Sequence, residues 1–201
     1  MKKKIQWILF FVCILVVTVG LTVPTQAAKN RAVKVKYKVY FENNKEIMLV
    51  KGLNSKNKVV WKYRTPKLIA GELDATKCVQ RKKQNRVYVF EYNRVVVFRL
   101  SDGKKLWTAE VCRNGHVYNF DEQNNLYVTG YYDQTVYKIS PSGKQTWKKS
   151  LWGTDYYWAE KILIRKKNII ILYGNDNFDG KVFFSRKTGK IQKVIGGRTW
   201  R

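Results

Sequence analysis

One short pattern returns along the chain and sets what it can fold into. Ser101-Asp102-Gly103-Lys104-Lys105-Leu106-Trp107 reappears as Pro141-Ser142-Gly143-Lys144-Gln145-Thr146-Trp147. Fainter copies are Lys56-Asn57-Lys58-Val59-Val60-Trp61, with Asn for Gly, and Lys187-Thr188-Gly189-Lys190-Ile191-Gln192-Lys193, with Lys for Trp. The turn positions 57, 103, 143 and 189 are 46, 40 and 46 residues apart. Self-similarity at such a period marks a chain built from stacked supersecondary units. Gly, and less readily Asn, accepts the positive φ of a tight hairpin. Each copy therefore reads as strand, turn, strand. The Trp four residues after the turn falls at one place on every following strand, so Trp61, Trp107 and Trp147 are assigned to structure.

Two strand-like runs precede each of the last three turns. They are Val87 to Phe90 and Arg94 to Leu100, Leu126 to Thr129 and Thr135 to Ile139, and Asn168 to Tyr173 and Lys181 to Ser185. Nearly unbroken β-branched and aromatic residues predict strands buried on both faces. Cys78 to Arg81, His116 to Phe120 and Trp158 to Arg165 supply a first strand for each unit. Helical spacing is not sustained after residue 28. The expectation is an all-β chain of about four four-stranded antiparallel units. Such units of roughly 40–45 residues are the mark of propeller blades. The first unit, Val33 to Tyr63, is the least regular.

The stretch from Val87-Tyr88-Val89 to Gly103-Lys104-Lys105-Leu106-Trp107 resembles the PQQ-like β-propeller repeat. Asn125-Leu126-Tyr127-Val128-Thr129-Gly130 through Ser140-Pro141-Ser142-Gly143 is similar to related bacterial repeats. The resemblance implies a β-propeller-like domain over residues 28–201. Three arrangements are open: a small closed propeller, an incomplete arc, and a piece completed by a partner. A subunit of an envelope assembly complex is a role the resemblance alone implies. The chain is too short for the larger propellers that hold the quinone, and it lacks the adjacent Cys pair of many of them. No cofactor is expected.

Lys2-Lys3-Lys4, the apolar run Trp7 to Val23, and Pro24-Thr25-Gln26-Ala27-Ala28 have the order of an export signal, with cleavage after Ala27. The 17-residue run also reaches the lower limit of about 17–25 residues for a spanning helix, so an uncleaved anchor over residues 1–27 is the alternative. Either way the rest of the chain is expected outside the cytoplasm, secreted or in the cell envelope. Cys78 and Cys112 then meet an oxidising compartment that permits a disulfide. A bridge and two buried thiols are both open.

Forty Lys and Arg face fourteen Asp and Glu, a net charge of +26. Cleavage would leave 37 basic residues against the same acids, or +23. Solubility alone needs a net charge of only about 2–8, and a field this strong attracts anions. Export makes genomic nucleic acid a poor partner. Envelope proteins and anionic surface polymers are the expected ones. The candidate binding clusters are Arg81-Lys82-Lys83, Lys148-Lys149 and Arg165-Lys166-Lys167. The aromatic group Trp152, Tyr156, Tyr157 and Trp158 is a candidate for stacking on sugars or presenting a protein-binding surface, against the alternative of packing between units.

The inventory for catalysis is thin. His116 is the sole His, which excludes metal sites built on several. Asn175-Asp176-Asn177-Phe178-Asp179-Gly180 begins like a calcium loop, but its twelfth position is Arg186 where Glu is required. Asp121 to Asn125 reads as an ordinary turn. Glu91, Glu110, Asp155 and Glu160 offer carboxylates for a glycan-processing reading, yet no spacing unites them. The expected function is a non-enzymatic binding or scaffold module. A glycan-binding or glycan-processing accessory is the alternative.

Overall fold

The computed structural model describes residues 30–43, 45–66, 68–69, 77–113, 117–130, 135–151, 158–174 and 179–196. The export segment, His116, Trp152, Tyr156, Tyr157 and most of the calcium-loop-like stretch lie outside them. No helix among the described residues is long and apolar enough to cross a membrane.

Among the described residues, sixteen strands form four antiparallel sheets. The first holds β1 (Lys34–Glu42), β2 (Lys45–Leu53), β3 (Val59–Arg64) and β4 (Leu68–Ile69). The second is β5 (Lys77–Arg81), β6 (Arg86–Glu91), β7 (Arg94–Arg99) and β8 (Lys105–Glu110). The third is β9 (Val117–Phe120), β10 (Leu126–Thr129), β11 (Thr135–Ile139) and β12 (Gln145–Ser150). The fourth is β13 (Trp158–Ile164), β14 (Asn168–Gly174), β15 (Asp179–Ser185) and β16 (Ile191–Ile195). Sheets two to four are simple meanders, each strand pairing with its neighbour in sequence. Their first and third turns therefore share one end.

The first sheet differs. β3 and β4 follow one another along the same edge of β2, so this sheet is three strands wide. Asn57 stands where the other sheets have the glycine between their third and fourth strands, which makes β1 the counterpart of a second strand. The first-strand position beside it is taken by a side chain. Val35 N donates to Gln80 Oε1 at 2.9 Å, and Gln80 Nε2 donates to the Val33 carbonyl at 3.1 Å.

The repeat turns do what their residues require. Asn57, Gly103, Gly143 and Gly189 have φ of 62°, 72°, 88° and 70°. The tryptophans reach past their own sheets. A Cβ on Gly103 would sit 2.5 Å from Trp61 Cγ, and one on Gly143 would sit 2.6 Å from Trp107 Cγ. One on Gly189 would sit 2.6 Å from Trp147 Cδ2. Each indole also donates from Nε1 to a carbonyl of the turn it covers: Trp61 to Leu100 at 2.7 Å, Trp107 to Pro141 at 3.0 Å and Trp147 to Arg186 at 3.4 Å. The Trp of each sheet thus clasps the turn glycine of the next. The glycines are needed twice, for φ and for room.

Three apolar cores fill the spaces between successive sheets. Met48, Val50 and Trp61 meet Val87, Val89 and Phe98. Tyr88, Phe90 and Val97 meet Leu126, Val128 and Ile139. Tyr127 and Val136 meet Ile162, Ile171, Val182 and Phe184. Among the described residues no apolar cluster joins the fourth sheet to the first. Burial follows from this. β6 and β10 are buried on both faces, as their composition predicts. In β14 the predicted two-sided burial gives way to alternation: Ile169 and Ile171 are buried while Ile170 and Leu172 are half-exposed, because among the described residues no further sheet covers the far face.

Cys78 packs with the core between sheets one and two, and Cys112 lies in the core between sheets two and three. They are not bridged. Opposite faces of one sheet hold them apart, so the bridge alternative gives way to two thiols.

Candidate functional site

The end of the third and fourth sheets that carries the repeat turns holds a cleft of about 570 Å³. Lys138, Lys166, Lys167, Arg186 and Lys187 line it, together with Glu122. Lys166 and Lys167 form the turn between β13 and β14. Arg186 and Lys187 follow β15, and the Arg186 N–H donates to the Lys167 carbonyl at 2.9 Å. That bond sets the two basic turns side by side. Lys138 comes from β11 of the neighbouring sheet.

Arg186 is the hinge pin of this arrangement. Its Nη2 is 2.9 Å from Asp121 Oδ2 and 2.7 Å from Glu122 Oε1, and it donates to Gln123 Oε1 at 2.8 Å. Burial works against the charge of Arg186, but the bonds to Glu122 and Asp121 outweigh it and raise its pKa. Asp121 also accepts from Asn125 Nδ2 at 2.9 Å and from the Tyr127 hydroxyl at 3.2 Å. Burial would raise the Asp121 carboxyl, yet the bonds from Asn125 and Arg186 hold it below the usual carboxylate range. The turn Asp121 to Asn125, ordinary in sequence, anchors the third sheet to the fourth through its one buried residue, Asp121. Lys138 Nζ donates to the Arg186 carbonyl at 3.0 Å and stands 5.5 Å from the Tyr127 ring centroid. Burial lowers its pKa. Arg186 is neutralised within the protein, which leaves Lys138, Lys166, Lys167 and Lys187 to face a ligand.

The other predicted clusters divide. Arg81 closes β5, donates to Asn124 Oδ1 at 2.9 Å and lies 4.4 Å over the Phe120 ring. It staples sheets two and three and is not presented to a ligand. Lys82 and Lys83 are exposed in the 3-10 turn Lys82–Gln84. Lys148 and Lys149 are exposed on the edge strand β12 and do not line the cleft. Arg165 is exposed beside the cleft, its Nη1 donating to the Ile164 carbonyl at 3.4 Å. Trp158 opens β13.

Sequence reasoning missed Lys138, Arg186 and Lys187. The Arg186-Lys187 pair just before the last repeat turn was a legible signal, but Lys138 joins the group only through inter-sheet packing. Of the carboxylates, Glu91 is buried and accepts from Tyr63 and Arg94. Glu110 and Glu160 are exposed on β8 and β13, and Asp155 lies outside the described residues. Among the described residues no group of three His, Cys, Asp or Glu side chains is placed to hold a metal ion.

No family model matches the chain, and no curated protein matches it. Solved structures do. BamB from Moraxella catarrhalis aligns with a TM-score of 0.50 at 16% identity, over 78% of this chain and 47% of that one. A protein of unknown function from Bacteroides caccae aligns at 0.43 and 12% identity, over 79% and 61%. Virginiamycin B lyase from Staphylococcus aureus aligns at 0.48 and 12% identity, over 79% and 58%. The chain thus spans roughly half to three-fifths of these relatives. The likeness to BamB is one of fold, and with the four antiparallel sheets it makes this an all-β, β-propeller-like protein.

Proposed function

We propose that this chain is an exported, non-catalytic binding module that holds an anionic polymer of the cell envelope in the basic cleft between its third and fourth sheets. The cleft itself carries the reading. Four lysines from two turns and one strand line it, against two carboxylates, Asp121 and Glu122, that share the single guanidinium of Arg186, so the lysines outnumber the uncompensated acid by four to one. Lys is a flexible point charge suited to binding phosphate or sulfate. The wider field of the chain would draw such a polymer in. The rigid sheets would supply the platform, and turns at one end the selectivity.

The test is binding of a labelled polyanion across a salt series to the wild-type protein and to a variant carrying Lys166→Gln, Lys167→Gln and Lys187→Gln. Loss of about 0.7 in the salt slope per phosphate contact removed is expected. Equal affinity and slope for the two proteins would overturn the reading. Tight, salt-resistant co-purification with one acidic protein would replace it with a protein-scaffold role.

A further inference from the structure

The face of the first sheet that points away from the second is a ladder of like charges. The registers place Lys36 directly opposite Lys51, and Lys51 directly opposite Lys62. The next row on that face is Lys38, Leu49 and Arg64. The opposite face is fixed by Trp61 lying over Gly52 and by Met48 and Val50 in the apolar core. Since side chains alternate along a strand, Lys36, Lys51 and Lys62 must project the other way. Lys36, Lys38, Lys62 and Arg64 are exposed and Lys51 is half-buried. Arg64 has its own acid, with Nη2 2.7 Å from Glu42 Oε2. Among the described residues no carboxylate forms an ion pair with Lys36, Lys51 or Lys62.

Like charges set opposite one another destabilise a sheet. A terminal sheet of a repeat array needs a polar outer face, but polarity does not require three lysines abreast. The far face of the fourth sheet meets the same problem differently, with half-exposed Ile170, Leu172 and Phe183. We infer that the Lys36–Lys51–Lys62 row is a binding surface for a linear phosphodiester polymer, distinct from the cleft. Strands lie about 4.8 Å apart and alternate residues of a strand about 6.8 Å apart. The row therefore sets three positive charges side by side, with Lys38 one step further along β1, on which successive phosphates of an extended chain can sit. Three lysines without an arginine fork suit single delocalised charges better than bidentate carboxylates. A second copy of this chain is excluded as the occupant by charge, since forty basic residues face only fourteen acids in each.

The inference rests on the reading of the chain as an anion binder, and its test separates the two. The probe is a labelled, abasic deoxyribose–phosphate oligomer, a phosphodiester chain without bases, titrated over a salt series. The variant carries Lys36→Gln, Lys51→Gln and Lys62→Gln. Its affinity should fall at least about tenfold at low salt, and its salt slope should fall by about 2, or about 0.7 for each of three contacts. Its melting temperature should be no lower than that of the wild type, because opposed charges have been removed. Arginine at the same three positions should restore binding. Unchanged affinity and slope in the glutamine variant, with the loss falling on the Lys166, Lys167 and Lys187 variant, would overturn this inference and leave the cleft reading standing. Equal binding of polygalacturonate, a carboxylate polymer, with the same slope would overturn the phosphodiester assignment. Failure of the wild-type protein to bind the oligomer or any other polyanion would overturn both.

Discussion

Trp107 and Gly143 share one volume: a methyl group on Gly143 would lie 2.6 Å from Trp107 Cγ. Gly143→Ala therefore meets two penalties. Its φ of 88° costs an L residue about 1–2 kcal/mol, and overpacking the indole costs about 1–3 kcal/mol more. The expected loss is about 2–5 kcal/mol, read as a lower urea midpoint with an unchanged slope. Asn57→Ala meets only the first penalty, since among the described residues no sheet precedes the first. A loss at Asn57 as large as that at Gly143 would refute the clasp.

Trp147 covers Gly189, contacts the core between sheets three and four and bonds the Arg186 carbonyl. It is half-buried, so Trp147→Ala should cost about 3 kcal/mol, the low end for truncating a large aromatic. A thermal melt identical to that of the wild type would remove it from the structural set.

The Asp121 carboxyl has a folded-state pKa below its ordinary 3.8, because bonds from Asn125 and Arg186 outweigh the effect of burial. A depressed folded pKa contributes stability that is present above the unfolded value and lost as pH falls through the folded one. Melting temperature should therefore drop below about pH 4. Arg186→Met strands the buried carboxylate and should cost about 3–5 kcal/mol at neutral pH. Its loss should shrink under acid, where Asp121 is protonated. A loss independent of pH would assign the effect of Arg186 to packing alone.

Burial pushes the Cys78 thiol up to about 12, and Cys112 is fully buried. Only a thiolate attacks an alkylating reagent or a disulfide. Near neutral pH, iodoacetamide should modify neither residue in the folded protein and both after denaturation without reductant. A mass two units lower than expected, with neither Cys78 nor Cys112 titratable in denaturant, would restore the bridge.

Much of the fold was legible because a turn with positive φ leaves few residues eligible. Gly103, Gly143 and Gly189, each preceded by two hydrophobic strands, announced the sheets, and β10 and β11 begin and end where their side chains predict. What the pattern could not convey was direction. Nothing in a Gly-to-Trp spacing of four says that the indole serves the following unit and not its own. The same limit hid the cleft. Lys166 and Lys167 are adjacent in sequence and were found, whereas Lys138 reaches them only across a core. Arg81 resembled a ligand-binding residue because a cation over Phe120 and one in water read alike in one dimension. The Lys36–Lys51–Lys62 row is invisible to any scan for charge runs, since register alone unites residues 15 and 11 positions apart.

The clasp has a polarity that bears on how such a chain lengthens. Every interior junction needs a Trp on one unit and a Gly on its successor, and both travel with the unit. A tandem duplication of the second or third unit would therefore carry a complete junction with it. Growth past the fourth would not, because Lys193 stands where an indole would be needed, and growth before the first would end on Asn57. Insertion within the array is therefore self-supplying, whereas a clasp of the same kind at Asn57 or at Lys193 would first need a substitution there.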